Sequence, residues 1–197
     1  MHFPELARRS EYKKKRDGTY YAYREYHTEI SEDCQHRCVY CDARLNEIGG
    51  EGMHLDHFRP QKHFPELEST PENLVLACSR CNYLKSDWWP EKTGNSNNGQ
   101  HGFIDPFDKD KSSYFEVDSK GEILAKKAPS GYVIDLLSLN RPSRMNIRRR
   151  RILVHRARLV VDEIIRELSD LPKQAPEVIQ ERMPILTAAL LEVKALI

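Results

Sequence analysis

The feature that most constrains this chain is a pair of Cys-x-x-Cys turns, Cys38/Cys41 and Cys78/Cys81. Two residues between thiolates let one tight turn aim both sulfurs at a single ion. Two such turns supply the four-sulfur tetrahedral shell that zinc prefers. A fifth cysteine, Cys34, is left over, and an odd count without a secretion signal argues against a disulfide framework. Cys34 reads as a small buried thiol. A redox reading needs only one Cys-x-x-Cys pair and leaves the second unexplained. The gap carries the information: ordinary zinc ribbons separate their pairs by roughly 15–20 residues, whereas 36 residues, positions 42–77, lie between Cys41 and Cys78. A closed zinc shell has no open coordination position, so chemistry is to be sought in the inserted segment.

Within that segment Met53-His54-Leu55-Asp56-His57-Phe58 alternates like a short strand, and Asn73-Leu74-Val75-Leu76-Ala77-Cys78 reads as its partner. Asn82-Tyr83-Leu84-Lys85 opens a short helix that stops before Pro90. Residues 1–33 read as a basic, aromatic and helical lead-in, and residues 34–90 as the core. Residues 91–197 read as a hairpin (114–117 with 122–125) followed by helices, one apolar face of which carries Ile147, Val154, Val161, Ile164, Ile165 and Leu168. Pro172 and Pro176 separate the last helical stretch, which Pro184 is expected to kink or divide. The fold class is therefore α+β, a zinc-stapled finger with an appended hairpin and helical region.

Asp56-His57, Asn73 and Asn82 are the chemically informative residues. Neighbours on a strand point to opposite faces, so Asp56 and His57 can serve one site only if the strand ends or bends, as Arg59-Pro60 allows. Oxygen ligands suit Mg²⁺, and an imidazole near its neutral pKa suits water activation. The ordered set Cys-x-x-Cys, Asp-His-x-x-Pro, Glu-Asn-Leu and Cys-x-x-Cys-Asn-x-x-Lys over about residues 38–87 resembles the HNH endonucleases of the ββα-metal superfamily, in the branch held by two Cys-x-x-Cys knuckles. That resemblance implies His57 as general base, Asp56 and Asn82 as ligands of a catalytic Mg²⁺ or Mn²⁺, and Asn73 as the residue that orients the loop carrying His57. It implies zinc on Cys38, Cys41, Cys78 and Cys81 as a structural ion only.

Thirty-one basic residues against thirty acidic ones leave a formal charge of +1, so nucleic-acid attraction must be read locally. Arginine is concentrated between positions 141 and 158, where no acid occurs. Arg148, Arg149 and Arg151, with Arg59 and Lys85 near the site, are the expected phosphate contacts. The Lys13–Arg16 cluster is diluted by Glu5, Glu11 and Asp17 and ranks below them. No run of eighteen apolar residues and no apolar N-terminal region occur, which predicts a cytoplasmic protein. The size, the Asp105-Pro106 segment with its hairpin and the Arg-rich C-terminus are similar to the small HNH proteins of anti-phage defence, those associated with Septu and certain retrons. This second resemblance implies a nuclease effector beside a partner ATPase, acting on DNA in preference to RNA. The competing expectation is a non-catalytic zinc module that binds nucleic acid or the ATPase.

Overall fold

The computed structural model describes residues 3–90, 94–108, 112–170 and 176–195. Two compact units divide at residues 148 and 149, not at the polar loop near residue 91. Arg148 shows why the first unit extends so far. Its guanidinium donates to the carbonyls of Gly121 at 2.6 Å and Leu139 at 2.9 Å, which fastens the start of the long helix to the hairpin.

The centre of the first unit is an antiparallel pair, β1 (Met53–His57) and β2 (Leu74–Cys78), in a register that sets His57 opposite Leu74 and Met53 opposite Cys78. All five residues of β2 are buried, as a continuous apolar run should be when both its faces are covered. Helix α1 (His27–Asp33) packs on β2, and fully buried Tyr26 and Ile30 belong to the same core. Helix α2 (Ser79–Lys85) follows β2 directly and contacts both strands. This strand–strand–helix order is the expected finger. A second apolar layer is aromatic: Trp89 packs edge-on against Phe58 and Phe64 at 5.4 and 5.8 Å and stacks on Phe103 at 6.1 Å. Rings of this kind bury large area per residue, which suits a chain only 39% hydrophobic.

Farther along, β3 (Phe115–Val117) and β4 (Ile123–Ala125) form the expected hairpin. Asn140 clamps it, accepting from the Ile123 N–H at 2.8 Å and donating to the Ile123 carbonyl at 2.9 Å. Helix α3 (Ser130–Leu136) follows, and α4 (Pro142–Asp170) opens with proline at its first position, where a missing N–H costs nothing.

In the second unit the remainder of α4 buries Ile164, with Val154, Val161 and Leu168 half-buried on the same stripe, while Ile165 is 50% exposed. Arg182 of α5 (Pro176–Ala195) pairs with Glu167 at 3.6 Å. Helix α5 runs through Pro184 without a break. A proline removes one helical hydrogen bond, and here strong helix formers (Glu181, Arg182, Leu186, Ala188, Ala189) stand on both sides of it. Pro172 lies outside the described residues.

The helical lead-in forms only in part. Residues 13–21 make a turn whose arms meet at a Lys14–Tyr20 bridge. Gly18 at φ +84° closes the turn, and Asp17 accepts from the Thr19 N–H and hydroxyl at 2.9 and 2.7 Å. Asp-Gly favours a turn over a helix. No described helix is long and apolar enough to cross a membrane.

Candidate active site and sulfur cluster

The first knuckle is a tight turn in which the Asp42 N–H donates to the Cys38 carbonyl and the Cys38 N–H to the Ala43 carbonyl, both at 2.9 Å. It is pinned to the sheet by the Val39 N–H on the Leu76 carbonyl at 2.9 Å. The second knuckle is the junction of β2 and α2. Together they bring the four sulfurs within 4.8 Å of one another, all buried, and Cys41 Sγ lies 3.7 Å from Cys78 Sγ. Tetrahedral Zn–S bonds of about 2.3 Å require sulfurs roughly 3.8 Å apart, so this donor set fits zinc. Cys34 stands outside the cluster, buried, its sulfur accepting from the Leu76 N–H at 3.4 Å.

Two arginines that sequence reasoning assigned to a general basic stretch face these sulfurs. The Arg141 guanidinium donates to Cys78 and Cys81 at 3.5 and 3.6 Å. Arg144, 3% exposed, donates to Cys78 at 3.3 Å and to the Glu51 carboxylate. Four thiolates around a dication would leave two formal negative charges, and two guanidiniums stand over them. Burial would lower the Arg144 pKa, but its hydrogen bonds to Cys78 and Glu51 outweigh that and hold it raised. Hydrogen bonds from Cys38, Cys41 and Cys81, with Arg144 adding to them, hold the Cys78 thiol far below its ordinary range. The detectable signal was the three-residue spacing of Arg141 and Arg144 at a helix start, which puts both on one face.

The strand end carries the second site. Asp56, His57 and Asn82 all line one cleft of about 250 Å³, with Lys62 and Asp87 at its edge. Lys62 and Asp87 form an exposed ion pair. His57 is half-buried; its Nε2 donates to the Glu68 carbonyl at 2.8 Å, and its ring meets Tyr23 edge-on at 5.0 Å. Because a carbonyl can only accept, this bond places the proton on Nε2 and leaves the Nδ1 lone pair open in the neutral ring. Asn73 is 3% exposed and clasps the backbone just after His57, accepting from the Arg59 N–H and donating to the Arg59 carbonyl, both at 2.9 Å. Asn82 sits one residue after Cys81, so the helix that contributes a sulfur also carries the amide.

Asp56 is 6% exposed and has two partners, Tyr40 Oη at 2.6 Å and Lys85 Nζ at 3.1 Å. A carboxylate has about four lone-pair positions, so these bonds leave acceptor capacity toward the cleft. Burial pushes the Tyr40 phenol well up, and the Asp56 charge adds to this, so Tyr40 stays a donor. Tyr40 was not singled out in the sequence, although its place between Cys38 and Cys41 ties the knuckle to the strand.

Two expected phosphate contacts are corrected by these positions. Lys85 is fully buried, donating to Asp56 and to the His57 carbonyl at 2.8 Å; it is an internal counter-ion. Arg148 is 1% exposed and donates to the Gly121 and Leu139 carbonyls and to Asn140 Oδ1. Arg59 is half-buried, its Nε donating to the Gly94 carbonyl at 3.1 Å. Arg149 is exposed and Arg151 half-buried, both in the second unit. Replacing Lys85 by Met is expected to cost about 3–5 kcal/mol, because it strands a buried carboxylate. Urea unfolding measures this, and a loss below ~1 kcal/mol would mean that the Lys85–Asp56 pair does not hold the fold together.

Residues 38–87 match the family model described as HNH endonuclease. This segment is an HNH domain. Its limits enclose both knuckles, the β1–β2 pair and α2, so the sulfur cluster and the Asp56–His57–Asn82 cleft both belong to it. The chain is also 29% identical over 119 residues to the "Septu protein PtuB" of Bacillus thuringiensis, an alignment covering 59% of this chain and 41% of that protein. The chain thus spans well under two thirds of that relative, and more than half of the alignment falls outside residues 38–87.

Proposed function

We propose that the protein is a metal-dependent HNH endonuclease that hydrolyses phosphodiester bonds, of DNA in preference to RNA. The observation that carries the reading is the convergence of Asp56, His57 and Asn82 on one cleft, with the His57 tautomer set by the Glu68 carbonyl. Asp56 and Asn82 offer oxygen donors, which select hard ions such as Mg²⁺ or Mn²⁺. A divalent ion bound there supplies charge stabilisation to the phosphate and to the leaving 3′ oxygen. His57 takes the proton of the attacking water at Nδ1 as that oxygen bonds to phosphorus, the bond from phosphorus to the 3′ oxygen breaks, and the departing 3′ oxygen is protonated by solvent. Asn73 holds the loop that aims the imidazole, and Arg59 contacts a flanking phosphate; Arg149 and Arg151 of the second unit are further phosphate contacts. Cys38, Cys41, Cys78 and Cys81 hold zinc as a staple without a role in the reaction.

The similarity to the Septu protein supports a place in anti-phage defence. There the chain acts as the effector and a partner ATPase controls it inside the cytoplasm. One observation favours the alternative of a non-catalytic zinc module: the Lys85 ammonium already neutralises Asp56. Cleavage assays separate the two. Duplex DNA, single-stranded DNA and RNA are incubated with the chain and Mg²⁺ or Mn²⁺, with and without the product of the adjacent gene. Ion-dependent cleavage with DNA ahead of RNA is expected; intact substrates under every condition leave the non-catalytic module.

A further inference from the structure

With Lys85 and Arg148 internal and Arg141 and Arg144 on the sulfur cluster, Arg59 is the expected phosphate contact that the first unit keeps near the site. The N-terminal turn offers a denser group of cations. Residues 13–24 carry Lys13, Lys14, Lys15, Arg16 and Arg24 against the single acid Asp17, interleaved with Tyr20, Tyr21 and Tyr23. Lys14, Lys15 and Arg16 are exposed. Of the acids around it, Asp17 is bonded by Thr19, Glu29 by Lys13 at 3.2 Å and Glu72 by the Tyr20 hydroxyl at 2.9 Å, while Glu11 and Glu25 flank the segment as exposed residues.

This is a built surface and not a loose tail. Fully buried Tyr26 staples the turn, its hydroxyl donating to the Lys13 carbonyl at 2.8 Å and accepting from the Tyr21 N–H at 2.9 Å. The turn is also fixed to the catalytic loop from two sides. Tyr20 bonds Glu72, the neighbour of Asn73, and the Tyr23 ring lies 5.0 Å from that of His57. Lys14 lies 4.9 Å over the Tyr20 ring, so cations and aromatic faces are presented together, the combination that takes phosphates and stacked bases.

We infer that the Lys13–Arg24 turn is the docking surface for the nucleic-acid backbone, holding a sugar-phosphate strand so that it runs past His57. The inference rests on the nuclease reading and names how that site acquires its substrate. It is tested by fluorescence anisotropy in the uncleaving His57→Ala background. Labelled duplex DNA and duplex RNA of one sequence are titrated over a range of salt concentrations. The Lys14→Gln/Lys15→Gln/Arg16→Gln variant is compared with a Lys120→Gln/Lys126→Gln control on the hairpin.

Each phosphate contact contributes about 0.9 to the slope of log K against log salt. The triple variant is therefore expected to lower the slope by roughly 2–3 and to weaken binding about tenfold or more, with the control unchanged. Loss on either duplex supports the inference and identifies the polymer. Unchanged affinity and slope on both overturn it, as does a variant that loses only a protein partner. If the triple variant loses binding while the parent chain cleaves nothing, the docking surface stands and the nuclease reading alone fails. Unfolding temperature and zinc content of the variant, expected to match the parent, exclude misfolding as the cause.

Discussion

Replacing His57 by Ala is expected to lower divalent-dependent cleavage by about 10²–10⁴-fold, the range for loss of a general base. The fold should survive. His57 is half-buried at the end of β1, and its ring makes one hydrogen bond and one aromatic contact. The pairing of β1 with β2 is a backbone matter that alanine does not disturb. Single-turnover cleavage measured beside the unfolding temperature separates the two effects. A folded variant that retains more than half of the parent rate would remove His57 from the chemistry.

The second large effect concerns the sulfur cluster. Stripping zinc with a strong chelator, or replacing Cys78 by Ser, is expected to unfold residues 38–87 cooperatively. Structural zinc in small domains binds with about 10–16 kcal/mol, comparable to or larger than the roughly 5–15 kcal/mol that separates folded from unfolded domains. Here the ion would join the two ends of the domain across the intervening 36 residues, positions 42–77. Near-UV circular dichroism and zinc release to a metallochromic dye should change together. Retained tertiary signal after complete release would show that the aromatic layer around Trp89 holds the domain by itself. Reversible formation of a Cys–Cys bond with the fold intact would instead favour thiol redox chemistry.

Much of the domain was legible because its signals are local. The sulfur spacing, the alternation in β1, the apolar run of β2 and the Asn-Leu junction each depend on residues adjacent in sequence. What stayed hidden depends on long-range partners. The cationic character of Lys85 and Arg148 gave no warning that each would be buried, since burial is decided by whether Asp56 or the Gly121 and Leu139 carbonyls lie within reach. Tyr40 carries no local signal within its knuckle, because its role depends on the strand that places Asp56 against it. Arg141 and Arg144 read as part of one basic tract, although their spacing already separated them from Arg149 and Arg150. The N-terminal cluster was ranked low by counting the neighbouring acids Glu5, Glu11 and Asp17; of these Asp17 is bonded to Thr19, and Lys14, Lys15 and Arg16 stand exposed beside it.

Helix α2 is seven residues long, and three of its positions face three different duties, while Arg80 and Tyr83 are exposed. Cys81 points to the sulfurs, Asn82 to the cleft and Lys85 to Asp56. A drift at any of these positions disturbs stapling, ion binding or charge balance, so selection has little freedom there. Changes of target preference are therefore confined to surfaces that surround the helix without sharing its duties. For a laboratory seeking to alter what this domain recognises, Cys78, Cys81, Asn82 and Lys85 are the residues to leave untouched, and exposed Lys14, Lys15 and Arg16 are where a randomised library has room to work.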